Sequence, residues 1–152
     1  MLQSAKTVYQ ASGEFSGVGI ARLDLLADKA KKVIFETKTK FPYTLFPTKI
    51  TICPNRITIS YNSGFSSYEV PMMLESITGA EVTRGILFSS LNIETFGIKP
   101  PSPINYLNKK DARMARRYIL ALIECKKNNI ELSDYSVITL RKKLKEIGKV
   151  YK

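Results

Sequence analysis

The sequence predicts an α+β domain in which a strongly bent antiparallel sheet, or partial barrel, is capped by a C-terminal amphipathic helix. From about Thr44 to Tyr106, short segments alternate apolar and polar residues with the two-residue period of half-buried strands. The segment Asn108–Asn128 instead places its apolar residues at helical spacing, with basic residues opposite. Because tertiary packing supplies most of a helix's stability, we expect this helix to lie on the sheet.

Length and charge limit the classes of function. The chain has 152 residues, which is typical of one domain with some appended structure. Its 24 Lys and Arg against 13 Asp and Glu give a net charge of +11, which attracts nucleic acid, anionic lipid or acidic proteins. The alternative is that the charge only promotes solubility. No segment approaches the roughly 18 apolar residues of a membrane span, and no signal-peptide core is present. We therefore expect a cytoplasmic protein whose membrane contact, if any, is peripheral.

Residues 1–41 are predicted to form an N-terminal arm and an amphipathic helix. Small and polar residues with several glycines predict a flexible arm up to Gly19. An apolar stripe then predicts an extra helix over Ile20–Phe35, which is a candidate surface for self-association. The charged stretch Glu36–Lys40 either extends this helix or forms a linker.

The sheet is expected within residues 42–128. Pro54 and Asn55 predict a tight turn between the first two strands, and Met72–Ser76 predicts one helical turn. In the fifth strand the apolar alternation slips by one residue, which predicts a bulge near Ser89. The predicted strands are Lys49–Ile52, Arg56–Tyr61, Ser67–Pro71, Ile77–Thr83, Ile86–Glu94 and Ile104–Leu107.

The two C-terminal helices follow from capping and spacing. Asn108 is a favoured N-cap, and Asp111 places a carboxylate in the first turn of the capping helix. Residues 129–152 are predicted to form a basic extension with a short final helix that begins near Val137. Gly148 is expected to end that helix.

The run FPTKITICPNRITISYNSGFSSYEVPMMLESITGAEVTRGILFSSLNIET, followed by NKKDARMARRYILALIECKK, resembles the pleckstrin-homology-like (PH-like) domains of a small, uncharacterised bacterial protein family. The resemblance implies a bent antiparallel sheet with a helix at its open end, and a binding module rather than an enzyme. Eukaryotic relatives bind phosphoinositides with basic residues near the loop between the first two strands. Here Cys53–Arg56 is short with one arginine, so inositol-lipid recognition is not expected. Some bacterial relatives form oligomers, and a homo-oligomer stays open here.

The sequence indicates no catalytic residue, metal ligand or cofactor site. Histidine is absent, and the two cysteines, Cys53 and Cys125, do not form a Cys-x-x-Cys pair. We expect both cysteines to be buried free thiols. Phe65 at a turn is a candidate loop contact that inserts into a lipid interface or a partner's groove, with a partly buried turn residue as the alternative. The candidate polyanion- or partner-binding residues are Lys109, Lys110, Arg113, Arg116, Arg117, Arg141, Lys142, Lys145 and Lys149.

These observations predict a noncatalytic PH-like binding module. Its basic face is expected to engage a protein partner or an anionic membrane surface. A nucleic-acid-associated basic protein is the alternative, since phosphates attract the same face. An enzyme is a second alternative, and no residue pattern supports it.

Overall fold

A computed structural model describes residues 19–28 and 31–150. The chain divides into two compact units, Met1–Lys32 and Val33–Lys152. In the first unit, residues 19–28 are helical (α1). Residues 20–28 fall within the predicted helix, whereas Gly19, which was predicted to belong to the arm, is helical instead. The predicted arm up to residue 18, and residues 29–30 of the predicted helix, lie outside the described part of the chain. The remaining elements belong to the second unit.

The first sheet has four antiparallel strands in the order β1-β2-β3-β4. The predicted hairpin is confirmed, because β2 pairs with β3 in a register that places Ile50 opposite Ile59. The isoleucines stand at alternate positions of these two strands and are completely buried, as the two-residue period of a strand requires. The strands are β1 (Phe35–Lys38), β2 (Lys49–Ile52), β3 (Arg56–Asn62) and β4 (Ser67–Met73).

Strand β1 corrects the prediction of a helix to Phe35 followed by helix or linker over Glu36–Lys40. The strand pairs with β2 from Phe35 opposite Ile52 to Lys38 opposite Lys49. Thr37 is buried while Glu36 and Lys38 are exposed, so the segment has the alternation of an edge strand. This pairing between distant segments overrides the local helical spacing. The sheet consequently begins before residue 42.

A second sheet replaces the single bent sheet, or partial barrel, that the sequence predicted. The helical turn predicted near Ser76 is a 3-10 turn, Leu74–Ser76, and the chain changes sheets there. Within the described residues the two sheets do not close into a barrel, since β4 and β5 are joined by this turn and do not pair. The second sheet has the order β5-β6-β7 and consists of β5 (Ile77–Arg84), β6 (Ser89–Thr95) and β7 (Ile104–Leu107).

Strand β6 begins later than predicted. The strand was expected from Ile86, but residues 85–88 form the β5–β6 loop, which the N–H of Gly85 closes by donating to the carbonyl of Phe88 (2.8 Å). Ile86 is therefore exposed rather than part of a strand face. An irregularity is present near Ser89, but the predicted bulge within this strand is wrong. From Ser89 to Ile93, β6 alternates buried and half-buried residues without a break and stays in register with β5. The shift lies against β7, where Ser89 pairs with Leu107 and Leu91 with Ile104, so the extra residue belongs to β7.

Helix α2 (Lys109–Lys127) contacts both sheets, through β5 and β6 on one and β1 and β2 on the other. Its start is the predicted one: the side chain of Asn108 accepts a hydrogen bond from the N–H of Lys110 (3.0 Å). Its predicted apolar face is buried, and both cysteines of the chain are buried and unpaired. That face comprises Ala115, Tyr118, Ile119, Leu122 and Cys125.

Helix α3 (Val137–Val150) packs on α2 and passes through Gly148, where the sequence predicted its end. Gly148 is buried against the backbone of Arg117. A Cβ atom at position 148 would lie 2.8 Å from the carbonyl carbon of Arg117. The glycine thus permits close approach of the two helices and does not terminate α3.

Candidate functional site: the cleft between β5 and α2

A cleft of about 820 Å³ lies between strand β5 and helix α2. We call it the arginine cleft, because arginines dominate its lining. All of its lining residues belong to the unit Val33–Lys152. They are Glu81, Val82, Thr83, Arg84, Arg113, Arg116 and Arg117.

Helical spacing positions three of these arginines. Arg113, Arg116 and Arg117 are three and four residues apart, so they share one side of α2. The apolar face of α2 is fixed on the sheets, and this side therefore borders β5. The guanidinium Nε of Arg113 donates to the carbonyl of Lys109 one turn earlier (3.2 Å), which orients the side chain along the helix.

The lining carries a strongly positive charge. Among the described residues, four arginines line the cleft and Glu81 is the single carboxylate in its lining. Arginine presents a planar fork of N–H donors that matches both oxygens of a carboxylate or phosphate. The arrangement therefore favours an anionic ligand.

Strand β5 presents an open edge to the cleft. Among the described strands it pairs only with β6. The Nε of Arg116 donates to the carbonyl of Ala80 (3.1 Å), so this carbonyl points away from β6. By the two-residue period, the N–H and C=O groups of Val82 and Arg84 point to the same open side, while those of Glu81 and Thr83 face β6. The cleft thus combines main-chain donors and acceptors with guanidinium groups.

The predicted basic residues do not all lie in the arginine cleft. The structure brings together Arg113, Arg116 and Arg117. Lys110 is exposed in the first turn of α2, and the ammonium of Lys109 donates to the carbonyl of Ile86 in the β5–β6 loop. These two lysines are outside the cleft lining.

The basic residues of α3 have other surroundings. Arg141 donates from Nε to the carbonyl of Ile34 (2.6 Å) and from Nη2 to that of Val33 (3.3 Å). This residue therefore links α3 to the chain entering β1. Exposed positions on α3 outside the cleft lining are occupied by Lys142, Lys145 and Lys149.

The β5 contribution to the cleft was missed from the sequence. Val82 and Arg84 line the cleft because β5 is an edge strand beside α2. Which strand lies at the edge depends on the order of strands in the whole sheet, and the local sequence does not indicate it. A weak signal existed in Arg84, a basic residue directly before the turn at Gly85. Nothing in that dipeptide indicates which neighbour the strand lacks.

Phe65 lies at the tip of the β3–β4 hairpin and is fully exposed. The alternative of a partly buried turn residue is therefore wrong. Gly64 adopts φ of 83°, which is favourable for glycine, and the Ser63 hydroxyl donates to the carbonyl of Ser66 (3.0 Å). This tip is ordered by its own hydrogen bonds and holds Phe65 in solvent.

Two buried groups of α2 have shifted pKa values. Burial raises the pKa of the Cys125 thiol, and the neighbouring Glu124 carboxylate adds to the effect. Burial likewise raises the pKa of Tyr118. Because the thiolate is the reactive form of cysteine, these conditions make Cys125 a poor nucleophile at neutral pH.

Comparison with known proteins leaves the geometry as the main guide to function. No protein-family model matches this chain, and no curated protein matches it. Within residues 19–28 and 31–150, three or more potential metal-ligating side chains do not cluster anywhere. No helix in the same part of the chain has the length and hydropathy needed to cross a bilayer.

Proposed function

We propose that this chain is a noncatalytic PH-like binding module that binds an acidic, extended segment of a protein partner in the arginine cleft. The order of antiparallel strands followed by an amphipathic helix agrees with what the PH-like resemblance implies. The observation that carries the proposal is the open edge of β5 beside the arginines of α2.

An extended peptide is the ligand that matches an open strand edge. Its main chain pairs with the exposed N–H and C=O groups of Val82 and Arg84, as in strand addition to other sheets. Such pairing supplies affinity with little dependence on sequence, and neighbouring side chains supply selectivity. Strand β5 is eight residues long, so a segment of similar length spans it.

Acidic side chains on that segment would meet the guanidinium groups. Arginine–carboxylate pairs at partly exposed positions contribute about 0.2–1 kcal/mol each. The main contribution of charge is therefore selectivity and faster encounter, since a positive cleft attracts acidic and repels basic segments.

The other ligand classes fit this cleft less well. Nucleic-acid phosphates match the arginines, but a nucleic acid cannot pair with a strand edge. Single-stranded nucleic acids are also held by stacking on exposed aromatic rings, and none of the described residues that line the cleft is aromatic. A planar bilayer surface does not enter a concave cleft. A polypeptide can both pair with the strand edge through its main chain and present acidic side chains to the arginines.

The test uses a fluorescein-labelled peptide of alternating Glu and Val, equal in length to β5, with fluorescence anisotropy as the readout. A matched peptide with Lys in place of Glu and a thymidine oligonucleotide are the comparison ligands. The acidic peptide is expected to bind, and more weakly as salt rises, because salt screens exposed charges. Equal binding of the Lys peptide would sink the proposal. Binding of the oligonucleotide alone would favour the nucleic-acid alternative.

Two pairs of variants locate the bound peptide. Arg113→Gln with Arg117→Gln is expected to lower affinity by roughly two- to thirtyfold, the equivalent of two exposed ion pairs. Lys142→Gln with Lys145→Gln removes the same charge from α3 and should change affinity little.

The strand edge is tested separately. Val82→Pro removes the N–H that faces the open edge, a position where edge strands tolerate proline. Val82→Ala also truncates the side chain but keeps this donor. The proline variant should bind more weakly than the alanine variant, and equal affinity would exclude strand pairing.

A further inference from the structure

Three loops converge at one end of the two sheets. The β1–β2 loop (residues 39–48) contacts the β3–β4 loop (residues 63–66), because a Cβ atom on Gly64 would lie 2.6 Å from the ring of Phe46. The same β1–β2 loop contacts the β5–β6 loop, since the rings of Tyr43 and Phe88 are 4.6 Å apart. A backbone hydrogen bond from Lys40 to the carbonyl of Tyr106 (3.0 Å) ties this end to β7. We call the three loops together the loop surface.

The tips of the loop surface carry large apolar side chains in solvent. Phe65 and Ile86 have relative exposures of 106% and 93%, and Leu45 and Phe41 have 73% and 71%. Each of the three loops contributes at least one of them. Several large exposed apolar side chains gathered at one end of a domain indicate a binding site for protein or membrane.

The base of the loop surface is packed and partly polar. Tyr43, Phe88 and Tyr106 form a cluster of three rings, with the centroid of Tyr43 4.6 Å from that of Phe88 and 6.3 Å from that of Tyr106. Both tyrosines are about half exposed. Tyrosine combines an apolar ring with a polar hydroxyl and is enriched where apolar and aqueous phases meet.

The charge around the loop surface has one sign. The loop sequences TKFPYTLFPT, SGFS and GILF contain no acidic residue. Lys40 and Lys109 line a cleft with Phe41 and Leu87, and Arg84 lines a neighbouring cleft with Ile86. In the part of the chain that the structure describes, neither cleft is lined by a carboxylate. These cations are placed to meet negatively charged groups beside the apolar tips.

We infer that the loop surface inserts into the interface of an anionic lipid bilayer. The apolar side chains protrude from separate tips, which suits penetration into a soft interface better than contact with a preformed groove. Flanking lysine and arginine side chains then reach lipid phosphates, and the tyrosines lie at headgroup depth. The apolar tips lie outside the arginine cleft, although Arg84 borders both sites.

Insertion can be observed directly, because the chain contains no tryptophan. Phe65→Trp and Ile86→Trp each place a single fluorophore at a tip, and Phe96→Trp places one at an exposed site beyond the other end of β6. The probes are vesicles of phosphatidylcholine with phosphatidylglycerol, with or without bromine on the acyl chains. We expect brominated chains to quench the tryptophan at positions 65 and 86 and to leave position 96 unchanged. Absence of quenching at the two tips would overturn the proposal.

Cosedimentation with the same vesicles measures the apolar contribution. Phe65→Ser with Ile86→Ser is expected to lower partitioning roughly a hundredfold or more, because it removes two large apolar side chains from the lipid interface. The matched control, Phe96→Ser with Ile138→Ser, removes exposed side chains of the same two types elsewhere and should bind as the wild type does. Lys40→Gln should cost about fivefold on anionic vesicles, the equivalent of 1 kcal/mol for one basic residue.

The outcomes separate lipid from other occupants. Equal binding by the tip and control variants would contradict insertion. If the tip variant instead alters the sedimentation coefficient of the protein without vesicles, the loop surface joins two copies of the chain and the lipid proposal fails. Arg113→Gln with Arg117→Gln should leave the quenching at position 65 intact, so failure of the peptide proposal and failure of this one are distinguishable.

Discussion

Replacing Gly148 with alanine tests the packing of α3 on α2. A glycine in a helix interior ordinarily costs roughly 0.5–1 kcal/mol relative to alanine, so Gly→Ala at an open helical position stabilises. At position 148 the new Cβ would lie 2.8 Å from the carbonyl carbon and 2.9 Å from the Cα of Arg117. Both are backbone atoms of a helix fixed on two sheets, and they cannot rotate away.

The expected sign follows from comparing the two effects. Favourable contacts between carbon atoms require about 3.5 Å, so α3 must move outward by roughly 0.6 Å or more. Overpacking of this kind costs about 1–3 kcal/mol. After the propensity gain is subtracted, Gly148→Ala is expected to lower the free energy of unfolding by up to about 2.5 kcal/mol.

Urea denaturation followed by circular dichroism measures this difference. Lys142→Ala and Lys142→Gly, compared with each other, give the propensity effect at an exposed position of the same helix. If Gly148→Ala stabilised the protein by that same amount, Gly148 would not be in close contact with Arg117 and the packing of the two helices would be wrongly described.

Three further predictions concern the core, the contact between α3 and the chain entering β1, and the cysteines. Leu122→Ala should lower the free energy of unfolding by about 2–5 kcal/mol, because Leu122 is completely buried on the side of α2 that faces the sheets; an unchanged urea midpoint would exclude the helix-on-sheet packing. Arg141→Gln should cost about 1–3 kcal/mol in the same assay, because it leaves two backbone carbonyls at the entry to β1 without their charged donor; Lys142→Gln is the neutral control. Alkylation should find two free thiols in the unfolded protein, and slow reaction of Cys53 and Cys125 in the folded one because both are buried; an intact disulfide would contradict this.

The sequence was sufficient where a feature depends on neighbours along the chain. The N-cap at Asn108 and the buried face around Leu122 follow from helical spacing, and both are confirmed. The shared side of Arg113 and Arg117 is also a property of one helix.

The sequence was insufficient where distant segments decide the outcome. Phe35–Lys38 fits a helical stripe and a short strand equally well, and pairing with β2 selects the strand. A glycine after apolar residues can end a helix or admit a close neighbour, and the crossing with α2 decides this at Gly148. The arginine cleft was missed for the same reason, since it depends on β5 being an edge strand beside α2.

Amide hydrogen exchange of strand β5, with and without the acidic peptide, tests the proposed function most directly. The N–H groups of Val82 and Arg84 face the open edge, whereas those of Glu81 and Thr83 are directed to β6. Saturating peptide should therefore slow exchange at Val82 and Arg84 and leave Glu81 and Thr83 nearly unchanged. This alternation is the signature of an added strand. Peptide binding that leaves Val82 and Arg84 exchanging at their original rates would contradict recognition by strand pairing at this cleft.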